Sequence, residues 1–173
     1  MFRSRALAIT LGLAVCAGGA WGLQKAGILF PDWSAPEKGT YEAPHGRLGT
    51  TPTQPWTATT VEAAIGGKPL PGKVTTLVGE IVDYSCYLQV GKHGAKHRDC
   101  GQKCIDNGQP IGLLTKDGTL YLLMEEEHHP RRDSQTTFRK TAREHMAHVM
   151  EVTGTFTEVA GQRALYVQGY VAK

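Results

Sequence analysis

The sequence predicts an all-β domain with one helix, built as a small five-stranded barrel. Residues 74–84 are rich in β-branched side chains and read as a long first strand. Asp117-Gly118 stands between two apolar runs, 111–114 and 120–124, and such a pair is a strong signal for a β-hairpin. Residues 134–146 show the spacing of an amphipathic helix. Twenty-one glycines and nine prolines in the chain also favour short strands and turns over a helical bundle.

Two further strands are predicted at residues 149–159 and 164–171, joined across Ala160-Gly161-Gln162. The predicted order is therefore strand, insertion, hairpin, helix, strand, strand. A helix between the third and fourth strands of a five-stranded, partly open barrel is the order of the OB-fold. The insertion between strands 1 and 2 is predicted to be helical and to carry cysteines.

A resemblance supports this fold. Gly79-Glu-Ile-Val-Asp83, Cys86-Tyr87, the Cys100/Cys104 pair and the stretch from Gly108 to Gly118 resemble a group of uncharacterised exported bacterial proteins with small OB-like domains. The resemblance covers roughly residues 73–172. It implies an OB-like fold and an exported location, and it carries no activity that could be transferred.

Composition limits the class of protein. The chain has 173 residues, of which 40% are hydrophobic and 20% are charged, so it is neither a disordered acidic or basic chain nor a polytopic membrane protein. A formal net charge of +3 is far below the dense positive field of a dedicated nucleic-acid binder. We expect no nucleic-acid partner.

Residues 1–30 are predicted to be a signal peptide or a membrane anchor. Arg3 and Arg5 precede an apolar stretch that begins at Ala6, and small residues follow it, which is the order of an export signal. The apolar character continues through Trp21 and Leu23, long enough for an uncleaved transmembrane helix. Both alternatives place the rest of the chain on the periplasmic side of the inner membrane, either anchored or secreted.

The remainder divides into a linker and a domain. Residues 31–72 contain repeated prolines and glycines without an apolar period, so they are predicted to form an extended tether. Residues 73–173 are predicted to form the OB-like barrel.

Cysteine and histidine residues carry the predicted site. His97, Cys100 and Cys104 have the spacing of one helix face, and Cys86 stands at the end of the first strand, directly before the insertion. Because the insertion returns to the barrel, we expect Cys86, His97, Cys100 and Cys104 to converge. Thiolate and imidazole are ligands that zinc and copper prefer. Three alternatives stay open: a metal site, a structural disulfide with one thiol left over, and a redox-active dithiol.

Other histidines are weaker candidates. His128-His129 follows the third strand within an acidic segment and is predicted to lie in a solvated loop. His145 falls on the apolar side of the predicted helix, which indicates a packing role. His93 and His148 are further candidates with no predicted partner.

Two functions from different classes follow. The first is an exported, membrane-tethered metal-binding module that serves metal handling or acts as an accessory subunit of a membrane complex. The second is a non-catalytic OB-like interaction domain, stabilised by a disulfide, that binds a protein or an envelope polymer. The sequence holds no phosphate-binding glycine loop, nucleophile elbow or H-E-x-x-H motif, so enzyme activity is not expected.

Overall fold

The structure is a computed structural model that describes residues 34–52, 66–68, 70–125 and 136–168. The described residues belong to one compact unit, residues 33–173. The predicted signal or anchor segment and His128-His129 lie outside the described residues.

Six strands and three α-helices are assigned within the described residues. In chain order they are β1 (Gly46–Leu48), β2 (Lys73–Asp83), α1 (Tyr84–Val90), α2 (Arg98–Asp106), β3 (Ile111–Thr115), β4 (Leu120–Glu125), α3 (Thr137–Glu144), β5 (Val149–Val159) and β6 (Gln162–Val167). A short 3-10 helix, Ala95–His97, leads into α2.

Five of these strands close into a mixed barrel. The order is β5-β2-β3-β4-β6, and β6 pairs with β5 to complete the ring. All pairings in the ring are antiparallel except β4 with β6, which is parallel. The predicted OB-like barrel is confirmed at this level, including α3 between its third and fourth strands and the helical insertion between its first and second.

The long strand β2 is the hub of the barrel. Residues Lys73–Glu80 pair with β5, and Gly79–Asp83 pair with β3, so both partners meet at Gly79 and Glu80. A Cβ atom at Gly79 would lie 2.7 Å from Cγ of Leu113, which explains why this crowded position has no side chain. The last five residues of β2 are buried.

The hairpin β3–β4 forms as predicted. Ile111 pairs with Leu123 and Leu114 with Leu120. Gly118 has a φ of 82°, the left-handed backbone that an Asp-Gly turn requires.

Strand β1 was not predicted, because it lies in the segment assigned to the linker. It runs parallel to β5, with Gly46 opposite Met150 and Leu48 opposite Val152. Leu48 is buried in the core, and Lys38 forms an isolated parallel bridge with His148. The strand has three residues and one apolar side chain, too short a pattern to be recognised in a proline-rich stretch.

Helix α3 lies between β4 and β5, as the sequence predicted. Its amphipathic face buries Phe138 and Ala142, and Met146 follows just beyond its end. The Oγ1 of Thr136 accepts a hydrogen bond from the backbone N–H of Arg139 at 3.2 Å and caps the helix. The core that these residues share also contains Ile81, Ile105, Ile111, Leu113, Leu123, Met150, Val152, Leu165 and Val167.

In the part of the chain that the structure describes, no helix has both the length and the apolar character needed to cross a membrane.

Candidate metal centre

Asp83 is the residue where β2 ends and α1 begins. Its Oδ1 accepts hydrogen bonds from the backbone N–H groups of Ser85, at 3.0 Å, and Cys86, at 3.2 Å. This is a helix N-cap, and it fixes the first turn of α1 against the end of the barrel strand. Cys86 therefore lies in the first turn of a helix, where the sequence analysis had expected the end of the strand.

The loop between α1 and α2 carries His97 to the same place. Glu80 is buried in β2, and its Oε1 accepts a hydrogen bond from the backbone N–H of Gly94 at 2.6 Å. Its Oε2 lies 3.0 Å from Nδ1 of His93. Gly94 has a φ of 82°, and a Cβ there would collide with the backbone oxygen of Ser34. The buried carboxylate thus anchors the loop directly before His97.

Asp83, Cys86 and His97 form one compact group, here called the Asp–Cys–His cluster. One ligand atom from each residue lies within 4.8 Å of the others. Asp83 and His97 are 0% and 4% exposed. Among the described residues, Oδ2 of Asp83 and Nε2 of His97 have no partner with hydrogen-bond geometry. An unsatisfied buried polar atom costs about 1–3 kcal/mol, so two in one cluster point to a group that would satisfy both.

Cys104 and Cys100 lie on the helix that follows His97 and differ in exposure. Cys104 is half-buried, and burial together with the nearby Asp83 carboxylate raises the pKa of its thiol. Cys100 is exposed. Helix α2 directs Gly101 and Ile105 into the core, and Cys100 is five residues from Ile105, about 140° around the helix. Asp83, Cys86 and His97 thus converge with Cys104 nearby, and Cys100 is the exposed thiol on the same helix as Cys104.

The environment keeps both inner thiols protonated at neutral pH. Burial, with the nearby negative charge of Asp83, raises the pKa of Cys86 to about 11. The same causes raise the pKa of Cys104 well above its ordinary value. Burial also lowers the pKa of His97, which favours the neutral imidazole that can bind a metal. A bound cation would displace the thiol protons, because its positive charge stabilises the thiolates.

Cys86, Cys100 and Cys104 are free cysteines, and no sulfur pair among the described residues is at bonding distance. The disulfide expected as one alternative is thus not what this structure has.

Asp83 is the member of the cluster that the sequence analysis missed. Asp83 and Glu80 are three apart on a strand and point to opposite faces, so the sequence indicates no carboxylate pair there. The signal that could have identified it is its position at a strand end, three residues before Cys86, where an aspartate caps a helix and presents its second oxygen to the first turn.

His145 and His148, two of the weaker candidates, form a second group with His45.

Comparison with protein-family models, curated proteins and solved structures finds no match for this chain.

Proposed function

We propose that this protein is a metal-binding module that holds zinc or copper through Asp83, Cys86, His97 and Cys104. The observation that supports the proposal is the convergence of Asp83, Cys86 and His97 with two buried polar atoms that have no hydrogen-bond partner. A cation at this position would give both atoms a partner and would bind the thiolate of Cys86.

The donor set is chemically suited to a tetrahedral ion. Two thiolates, one imidazole and one carboxylate are the ligand types of protein zinc sites. Two sulfur donors also suit Cu⁺. Asp83 keeps its N-cap hydrogen bonds through Oδ1, so its Oδ2 is the oxygen that can face the ion.

Metal binding and thermal unfolding of three serine variants test the proposal. In Cys86→Ser and Cys104→Ser we expect the affinity for Zn²⁺ to fall at least tenfold and the zinc-induced rise in melting temperature to shrink. Cys100→Ser is the matched control, since its sulfur is exposed on the same helix as Cys104, and it should bind zinc as the wild type does. Near-ultraviolet thiolate-to-metal absorption with Co²⁺ should follow the same pattern.

Full zinc affinity in both Cys86→Ser and Cys104→Ser would overturn the proposal. So would loss of the cobalt–thiolate absorption in Cys100→Ser alone, because that result would place the sulfur donor at the surface of α2.

We propose further that the module works outside the cytoplasm, tethered to the inner membrane by residues 1–30 or released by cleavage within them. The basic and then apolar order of that segment supports this location. An accessory role in metal handling or in a membrane complex follows from the location together with the metal site. A reporter fused after Lys173 should be active in the periplasm, and activity confined to the cytoplasm would refute the location.

A further inference from the structure

The histidine cluster consists of His45, His145 and His148, which come from distant parts of the chain. One ring nitrogen from each lies within 4.8 Å of the others. The ring centroids are 4.9 Å apart for His45 and His148, 5.4 Å for His145 and His148, and 5.9 Å for His45 and His145. None of these residues belongs to the Asp–Cys–His cluster.

Backbone contacts fix the positions of all three rings. His45 directly precedes β1, and its N–H donates to the carbonyl oxygen of Val149 at 2.8 Å. His145 is the C-cap residue directly after α3, and His148 directly precedes β5. Between these two, Ala147 has a φ of 63°, and the N–H of His148 donates to the carbonyl oxygen of His145 at 3.0 Å. This tight turn brings the His145 and His148 rings together.

The two nearest nitrogens have the separation that one metal ion would impose. Nδ1 of His145 and Nδ1 of His148 are 3.2 Å apart. Two nitrogens at 2.0–2.1 Å from a tetrahedral ion would be about 3.3 Å apart. Without an ion the same distance corresponds to a hydrogen bond between two neutral imidazoles, so the geometry fits both states with little movement.

A carboxylate occupies the outer side of His148, as at many metal-binding histidines. Nε2 of His148 lies 3.3 Å from Oε2 of Glu37, so this nitrogen can donate its proton while Nδ1 keeps a lone pair for a ligand. Glu37 is itself held by an ion pair with Arg98, whose Nη2 donates to the carbonyl oxygen of Glu144 at 3.1 Å. His148 is 3% exposed, so the carboxylate orients a ring that cannot turn freely.

The opposite side of the cluster is open to solvent. His45 is exposed and lines a cavity of about 430 Å³ together with Pro44, Gly46, Arg47 and Glu151. An ion could enter from this side, and a water molecule or an external ligand could occupy a fourth position. Three histidines with one open position are a ligand set of catalytic zinc sites.

We propose that His45, His145 and His148 form a second metal site, for Zn²⁺ or Cu²⁺, with Glu37 as the positioning residue of His148.

The protonation of the two inner rings is compatible with metal binding. Burial, with the neighbouring His145, lowers the pKa of His148 to about 4, and burial with the neighbouring His45 lowers the pKa of His145. His145 and His148 can therefore offer lone pairs near neutral pH. The segment that the sequence predicted as a tether supplies two of the four residues, Glu37 and His45.

Zinc titration by calorimetry of the full chain in a Cys86→Ser/Cys104→Ser background isolates this site from the proposed thiolate site. We expect one Zn²⁺ per chain in that background. Adding His45→Asn should weaken binding at least tenfold, and adding Glu37→Gln should weaken it 10–100-fold. Glu42→Gln is the matched control, because Glu42 is an exposed glutamate of the same segment that pairs with Lys116, and it should leave zinc affinity unchanged.

His45 is exposed, so His45→Asn should keep the wild-type circular-dichroism spectrum and thermal unfolding in the presence of a chelator. With Co²⁺, the cysteine-free cluster should give d–d absorption without thiolate charge transfer. Absence of stoichiometric zinc binding in the Cys86→Ser/Cys104→Ser protein would overturn the inference, and so would His45→Asn with unchanged affinity. If only the proposed thiolate site fails, the wild type and the Cys86→Ser/Cys104→Ser protein should each bind one zinc ion. That result differs from both outcomes that would overturn the inference.

Discussion

Replacement of Glu80 by leucine tests how the barrel holds the loop that carries His97. Glu80 is fully buried, accepts the Gly94 N–H at 2.6 Å through Oε1 and faces His93 at 3.0 Å through Oε2. Leucine has a similar volume but no acceptor, so Glu80→Leu would leave the Gly94 N–H buried without a partner. Removing one partner of a buried pair is costly even where replacing both is not.

The magnitude follows from the two contacts. A hydrogen bond to a charged acceptor contributes about 1.5–3 kcal/mol. The pair with the partly exposed His93 adds at most about 1 kcal/mol, because solvent screens it. We expect the free energy of unfolding to fall by about 2–4 kcal/mol, or the melting temperature by about 6–12 °C for a domain of this size. Because the loop precedes His97, zinc affinity at the Asp–Cys–His cluster should fall as well.

Urea unfolding monitored by circular dichroism measures the first effect, and zinc titration measures the second. Glu80→Gln keeps an acceptor for Gly94 and should lose only about 1 kcal/mol. Glu158→Gln is the surface control, since Glu158 is about half exposed and lies 3.5 Å from Arg163, and it should change stability by less than about 0.5 kcal/mol. A Glu80→Leu protein within about 0.5 kcal/mol of wild type would refute the assigned role of this carboxylate.

Three other predictions concern packing, protonation and thiol reactivity. Gly154→Ala should lower the free energy of unfolding by about 2 kcal/mol or more, because the new Cβ would lie 2.2 Å from the backbone oxygen of Tyr166. An unchanged urea midpoint would contradict this prediction. In the presence of a chelator, stability should decrease as pH falls from 6.5 to about 4, because the unfolded chain protonates His148 more readily than the folded one, whose pKa is lowered to about 4. The loss attributable to this residue is at most roughly 3 kcal/mol, and His148→Asn should flatten that part of the profile. At pH 8 the exposed Cys100 should react with a disulfide reagent at least tenfold faster than Cys86. The reason is that a pKa of about 11 leaves about one Cys86 side chain in a thousand as the thiolate. Equal rates in single-cysteine variants would argue against the buried thiol.

The barrel itself could be predicted because its signals are local. The β-branched run of β2, the Asp-Gly turn of the hairpin and the amphipathic face of α3 each depend on residues within a few positions of one another. The order of these elements along the chain then limited the topologies by which five strands could form a barrel. The structure confirms that arrangement at the level of strand order and helix position.

The candidate site could be predicted only in part. The spacing of His97 and Cys104 placed them together because they are seven residues apart, about two helical turns. The same rule could not give the exposure of Cys100, because spacing gives a shared side of a helix but not which side faces the core. Burial of Gly101 and Ile105 decided that question and turned Cys100 outward.

The sequence by itself determined the strand order, the hairpin, the helix before β5 and a cysteine-bearing insertion next to β2. Tertiary structure alone decided that Gly46–Leu48 pair with β5 and that Glu37 and His45 meet residues about a hundred positions later. It also decided that Asp83 presents a buried oxygen to Cys86 and His97. The physical reason is the range of the interactions. Turns, strands and helix faces are set by neighbours in the chain. A ligand set forms where distant segments pack against one barrel, and local sequence patterns do not contain that information.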